Sequence, residues 1–189
     1  MGFLDGLLGR KKMVGPAPDR LFALTTAYVT LEIGHQITTT GKGAIVFQPI
    51  DNADFDGIAA EMEELVRGTG EETGTTITTT EDSFGYRWMV FSDPDVEDLV
   101  VAVNTVNDGL QVGGYGERVL CAVFSFKDGR GRPLHLIYNV KRGKWYPFAP
   151  AGENQRDSQR EMQIKAILDG ELPVEPELER WFPLWGVPL

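Results

Sequence analysis

The 189 residues, 42% of them hydrophobic, suffice for one sizeable core and fall short of two ordinary domains. A net charge of −10 removes the electrostatic footprint of a general nucleic-acid binder, because phosphate neutralisation supplies most non-specific affinity. The lone Cys121 excludes an internal disulfide, and no stretch approaches the roughly 18 apolar residues that a bilayer crossing needs.

Residues 1–12 stand apart as an amphipathic segment, Met-Gly-Phe-Leu-Asp-Gly-Leu-Leu-Gly-Arg-Lys-Lys. Its charges follow its apolar residues, the reverse of a secretion signal, and a cytoplasmic location is expected. On a helix Phe3, Leu4, Leu7 and Leu8 share one face, with Arg10, Lys11 and Lys12 placed for lipid phosphates. Burial of those four side chains is opposed by three glycines, at about 1 kcal/mol each, and by ordering of the backbone at about 1–2 kcal/mol per residue. Alone, the segment is expected to bind membranes only marginally and to act through avidity or by docking on a partner. Residue 6 is Gly, so the myristoylation pattern is not met. Residues 13–18 read as a linker carrying Gly15, Pro16 and Pro18, and residues 19–189 as a single domain.

Asp19 is positioned to cap a helix running to about Ile33, with Gly34 as its terminator. A short buried strand follows over Gly43–Gln48, ended by Pro49. Phe55, Ile58, Ala59, Met62, Leu65 and Val66 recur at helical spacing, with Gly68 expected at the C-terminal cap. Thr75–Thr80 and Tyr86–Phe91 form a hairpin across Asp82-Ser83-Phe84-Gly85. Asp93 and Pro94 open the clearest helix, whose stripe runs from Val96 to Leu110 before Gly113 and Gly114. Val119–Phe126, Leu134–Val140 and Lys144–Phe148 then describe an antiparallel meander, with Pro147 favouring an edge position for the last strand. A final helix is expected from about Asn154 to Asp169, with Ile164, Ile167 and Leu168 inward and Glu161 and Lys165 paired outside. The fold class expected is α+β, a mostly antiparallel sheet of about five or six strands packed with about four helices.

No catalytic, cofactor-binding or metal-ligating set emerges. His35 and His135 are isolated, and none of the four serines sits in a Gly-x-Ser-x-Gly elbow. Thr40-Gly41-Lys42-Gly43 lacks the upstream glycine of a phosphate loop and precedes a strand. Charge is uneven: residues 51–72 carry eight acidic side chains against Arg67, and residues 127–144 carry six basic ones against Asp128. In a meander the two basic turns fall at opposite ends of the middle strand, about 25 Å apart, so no single cationic patch is implied. The ending holds Trp181, Phe182 and Trp185, for which two readings stay open: packing over the sheet, or a partner-binding patch.

Several stretches together resemble one family: Met1-Gly2-Phe3-Leu4-Asp5 to Arg10, Gly41–Phe47, Asp98-Leu99-Val100 through Cys121–Phe126, Lys141–Pro150, and Arg180-Trp181-Phe182-Pro183-Leu184-Trp185-Gly186. They look like PspAB, the PspA-associated protein B of the phage-shock envelope-stress system in actinobacteria and related prokaryotes. The resemblance implies association with PspA, a peripheral coat protein of stressed membranes, and implies no chemistry, cofactor or catalytic residue. The order of hairpin, helix and further hairpin also looks like the type III secretion chaperone fold, a fold-level analogy. The expectation is a non-enzymatic accessory or regulatory protein, cytoplasmic and peripheral at the inner face of the cell membrane. Two alternatives are an enzyme or ligand-binding domain with an unadvertised pocket, and a structural protein that self-associates through its tail.

Overall fold

A computed structural model describes residues 18–189. The N-terminal contact residues expected above, Phe3 to Lys12, lie outside the described residues. The chain enters as α1 (Pro18–Val29), extended by a wider π-helical turn over Thr30–Gly34. Pro18, and not Asp19, opens the helix, in keeping with the pre-set φ of proline and its missing N–H.

There follow β1 (Thr38–Phe47), α2 (Ala53–Thr73), the hairpin β2 (Thr76–Glu81) and β3 (Arg87–Ser92), and α3 (Val96–Val112). The meander β4 (Val119–Lys127), β5 (Pro133–Asn139) and β6 (Lys144–Phe148) comes next. A small hairpin of β7 (Pro150–Gly152) and β8 (Gln155–Arg156) then leads into α4 (Ser158–Leu168).

The main sheet is six-stranded in the order β2-β3-β1-β4-β5-β6, and every pairing is antiparallel. The α+β expectation holds, with β6 at an edge and the two basic turns at opposite ends of β5. Strand alternation divides the sheet into two faces. Ile45, Phe47, Met89, Phe91, Ala122, Phe124, Leu136, Tyr138 and Trp145 face α1, α2 and α3, forming the main core. Ala44, Val46, Trp88, Val90, Cys121, Val123, Ile137, Tyr146 and Phe148 face the opposite side, where the C-terminal tail lies.

Four local readings are corrected. β1 begins at Thr38 and not Gly43, because a bulge at Gly41 (φ 72°) lets its Thr-rich start pair with β4 alone. A side chain at Gly41 would crowd the Asp93 carbonyl, which explains the glycine. α2 runs past Gly68 to a left-handed cap at Gly74; Gly70 is needed because the Thr75 backbone lies where a side chain would stand. Asp95, not Asp93, caps α3: its carboxylate accepts from the Glu97 N–H at 2.7 Å. Asp93 is buried and accepts from the Thr75 hydroxyl at 2.6 Å, tying the start of β2 to the turn before α3.

The fourth concerns the last helix, which begins at Ser158 and not Asn154, the intervening residues forming the β7–β8 hairpin. Glu161 is not an outside partner of Lys165. It is 2% exposed, accepts from the Ala149 N–H at 3.0 Å and pairs with Arg156 at 2.8 Å, whereas Lys165 pairs with Asp169. A guanidinium arriving from β8 makes the inward position of this carboxylate tolerable.

A cleft beneath the C-terminal tail

Register resolves the tail-side face into three rows across the strands. Trp88, Val46 and Cys121 are partners in the first, which runs on to Thr80 at one end and to Asn139 and Lys144 at the other; Val90, Ala44, Val123, Ile137 and Tyr146 in the second; Ser92, Lys42, Ser125, His135 and Phe148 in the third. The first row is therefore apolar at its centre, and the third is mainly polar.

The tail crosses this face on fixed points. Trp181 is 4% exposed, its indole N–H donating to the Glu175 carbonyl at 3.0 Å, and its own carbonyl accepts from Arg156 Nη1 at 2.8 Å. The Tyr146 hydroxyl donates to the Phe182 carbonyl at 3.2 Å, and Trp185 packs half-buried on Phe148. Glu175, 1% exposed, is held by the Arg142 guanidinium from the β5–β6 turn. Of the three tail aromatics singled out by sequence, Trp181 is thus an anchor in the interior, Phe182 is exposed, and Trp185 lies between.

Between the tail and the apolar row opens a cleft of about 540 Å³. Val46, Trp88, Cys121 and Tyr146 line its floor, Asp82, Phe84 and Tyr86 one wall, Asn139 and Lys141 another, and Phe182–Trp185 the lip. Phe84 is 79% exposed and Phe182 57%, so two large apolar rings stand in solvent on either rim. The β2–β3 turn that presents Phe84 is built by Asp82, whose carboxylate accepts from the N–H groups of Phe84 (2.9 Å) and Tyr86 (3.0 Å) and from Trp88 Nε1 (2.8 Å). Partial burial pushes this carboxyl up, but those donors outweigh it and hold it below the ordinary range. Burial pushes the Cys121 thiol up to about 12, so at neutral pH it lines the floor as an apolar, unreactive group.

At the polar end Lys42 donates to the Ser92 hydroxyl at 2.6 Å. His135 is 6% exposed, stacks with Phe148 at 6.1 Å, and its Nδ1 has no partner among the described residues. Burial lowers its pKa to about 4, so the ring is neutral near pH 7. Among the described residues no group of three His, Cys, Asp or Glu side chains is placed to hold a metal ion. No described helix is long and apolar enough to cross a membrane.

The family model for PspA associated protein B matches residues 1–189, the whole chain. The chain belongs to the PspAB family. No curated protein and no solved structure matches it. In this PspAB chain four of the stretches that carry the resemblance contribute to the cleft, through Val46 of β1, Cys121 of β4, Lys141 and Tyr146 of the β5–β6 turn and β6, and Phe182–Trp185 of the tail, whereas Leu99 and Val100 lie in α3 on the opposite face of the sheet.

The sequence pointed to the tail but not to Asp82, Phe84 or Tyr86, which complete the cleft from the other end of the sheet order. One signal was present: a phenylalanine at the tip of a four-residue turn has no core to enter.

Proposed function

We propose that this PspAB chain is a non-catalytic accessory protein of a PspA-type membrane-stress response, and that it engages PspA with the cleft and its two exposed rims. The observation that carries the reading is the apolar cleft flanked by Phe84 and Phe182, to which four of the stretches that carry the family resemblance contribute side chains. Aromatic side chains around a concave apolar surface are the groups that concentrate binding energy at protein interfaces. Phe84 belongs to a turn held by three hydrogen bonds to Asp82, so little ordering entropy opposes its burial against a partner.

The N-terminal segment adds a second, weaker contact. Phe3, Leu4, Leu7 and Leu8, followed by Arg10, Lys11 and Lys12, supply the apolar and cationic sides of an interfacial segment, working as an increment to affinity at a PspA-coated membrane. The interaction then takes place peripherally at the inner face of the membrane, with no cofactor required.

The test is titration of purified PspA with the intact chain and with Phe84→Asp/Phe182→Asp, read by calorimetry. The reading expects binding by the intact chain and at least about a tenfold weaker complex for the variant; equal affinity of the two would remove the cleft from the interface. Cosedimentation with anionic liposomes, with and without PspA, reads the terminal contribution through Leu4→Asp/Leu7→Asp.

A further inference from the structure

A second cavity lies beneath the far end of the tail, over the polar row of the same sheet face. It measures about 670 Å³ and shares only Leu184 and Trp185 with the cleft. We propose that it is a binding site for a small organic monocarboxylate, whose carboxylate is held by Lys42 and Ser125 beside His135 and whose apolar body lies against residues 185–189 of the tail.

Sheet register builds the polar part. Lys42 of β1 is the partner of Ser125 of β4, and Ser125 the partner of His135 of β5, so side chains from three strands stand in one row at the strand spacing of about 4.8 Å. All three line the cavity. The ladder of the sheet fixes their backbones, and His135 is held further by stacking on Phe148 at an interplanar angle of 19°. Groups placed in this way need little ordering when a ligand arrives.

These groups are short of partners. His135 and Ser125 are each 6% exposed, yet Nδ1 of the ring has no hydrogen-bond partner among the described residues, and neither has the Ser125 hydroxyl. Buried polar groups are ordinarily satisfied, so two unpaired neighbours facing one cavity call for a polar group that the described chain does not supply. Lys42 is half-buried and directs its ammonium to the Ser92 hydroxyl at 2.6 Å. No described carboxylate pairs with it, in a chain that carries 28 acidic side chains. An ammonium has three donors, and two of these remain.

Charge selects the ligand. Among the described residues that line the cavity, Lys42 is the one cationic side chain and Glu153, exposed on the β7–β8 turn, the one acidic side chain. The imidazole is neutral near pH 7, because burial lowers its pKa to about 4, and adds hydrogen-bonding capacity without charge. One ammonium matches one carboxylate through a charge-assisted hydrogen bond, whereas a phosphate dianion would stand half-compensated in sight of Glu153. Pro133, Pro150, Leu184, Trp185, Val187 and Leu189 supply apolar lining, which fits an acid with a hydrocarbon body. The volume lies within the range of about 300–1,000 Å³ usual for small-molecule sites. The site stands whether or not PspA uses the neighbouring cleft.

The experiment is a titration of the full isotope-labelled chain with hexanoate, read by nuclear magnetic resonance from the His135 ring nitrogens and the Trp185 indole N–H. Hexan-1-ol, the same body without the charge, and inorganic phosphate, charge without the body, form parallel arms. Expected is saturable binding of hexanoate with a Kd below about 1 mM, at least about tenfold tighter than either control. Lys42→Met is expected to weaken hexanoate at least about tenfold, and Lys42→Arg, which keeps the charge, to hold it within about threefold. Thermal melts establish that both variants fold; should Lys42→Met not fold, the three arms on the intact chain decide alone. Absence of saturation by hexanoate overturns the proposal, as does hexan-1-ol or phosphate binding equally tightly, or undiminished binding by folded Lys42→Met.

Discussion

Trp185 meets Phe148 edge to face, their ring centres 5.0 Å apart at an interplanar angle of 77°. Phe148 in turn stacks with His135 at 6.1 Å, so the tail helps to seal the buried imidazole that ends the polar row. Trp185→Ala removes an aromatic pair worth about 0.5–1.5 kcal/mol and the apolar area beneath it, and about 2 kcal/mol of stability should be lost. Urea unfolding measures this, and a change under about 0.5 kcal/mol would mean the tail is only laid on the sheet.

His135 gives that seal a pH signature. Its pKa falls from an ordinary 6.5 to about 4 on folding, because burial penalises the charged ring. The unfolded chain therefore binds the proton first as pH drops, and stability is full above about pH 6.5 and lost progressively toward pH 4. Imidazole resonances of His135 should stay in the neutral form through pH 5, and His135→Phe should flatten this part of the stability curve. Titration of the ring near pH 6.5 would contradict the burial described.

Asp82 acts in the same direction at lower pH. Its carboxyl is buried in part, which raises its pKa, yet the Trp88, Tyr86 and Phe84 donors lower it further, to below the ordinary value. A depressed carboxyl contributes stability above its unfolded pKa and loses it as pH falls through the folded one, so acid should unfasten the β2–β3 turn. Asp82→Ala leaves the Trp88 indole N–H without its acceptor and should cost about 1–3 kcal/mol. Thermal melts at neutral pH check this, with a quenched Trp88 indole shift as the local marker.

Two buried carboxylates hold the tail. Arg142→Ala leaves Glu175, 2% exposed at its side chain, without its guanidinium, and about 3–5 kcal/mol should be lost. Arg156→Ala does the same to Glu161 and also removes the donor to the Trp181 carbonyl. The second variant should increase amide exchange in the tail more than in α3, a pattern that a uniformly weakened core would not give.

The elements that sequence located best were those whose apolar period and punctuation agree. The stripe of α3 and the glycine-bounded meander needed nothing from distant residues, and both stand as expected. Readings failed where a distant group decides. The Thr-rich start of β1 has no apolar alternation; it is a strand because β4 pairs with it across a bulge. Gly68 has the signature of a cap, but the chain turns at Gly74, after Gly70 has let the Thr75 backbone pass close to α2. Glu161 and Lys165 have the spacing of a surface pair, yet Arg156 draws the carboxylate inward. Beyond the tail aromatics the cleft could not be assembled from sequence, since its walls come from a turn near residue 84, another near residue 141 and a tail beyond residue 181, brought together by sheet order.

The most direct measurement is calorimetric titration of PspA with the intact chain and with Phe84→Asp/Phe182→Asp, after circular dichroism has shown equal folding of the two. Burial of both exposed rings in the complex predicts saturable binding by the intact chain, weakened at least about tenfold in the variant. Binding of undiminished strength by the variant, or none by the intact chain, would contradict the assignment of this cleft to PspA.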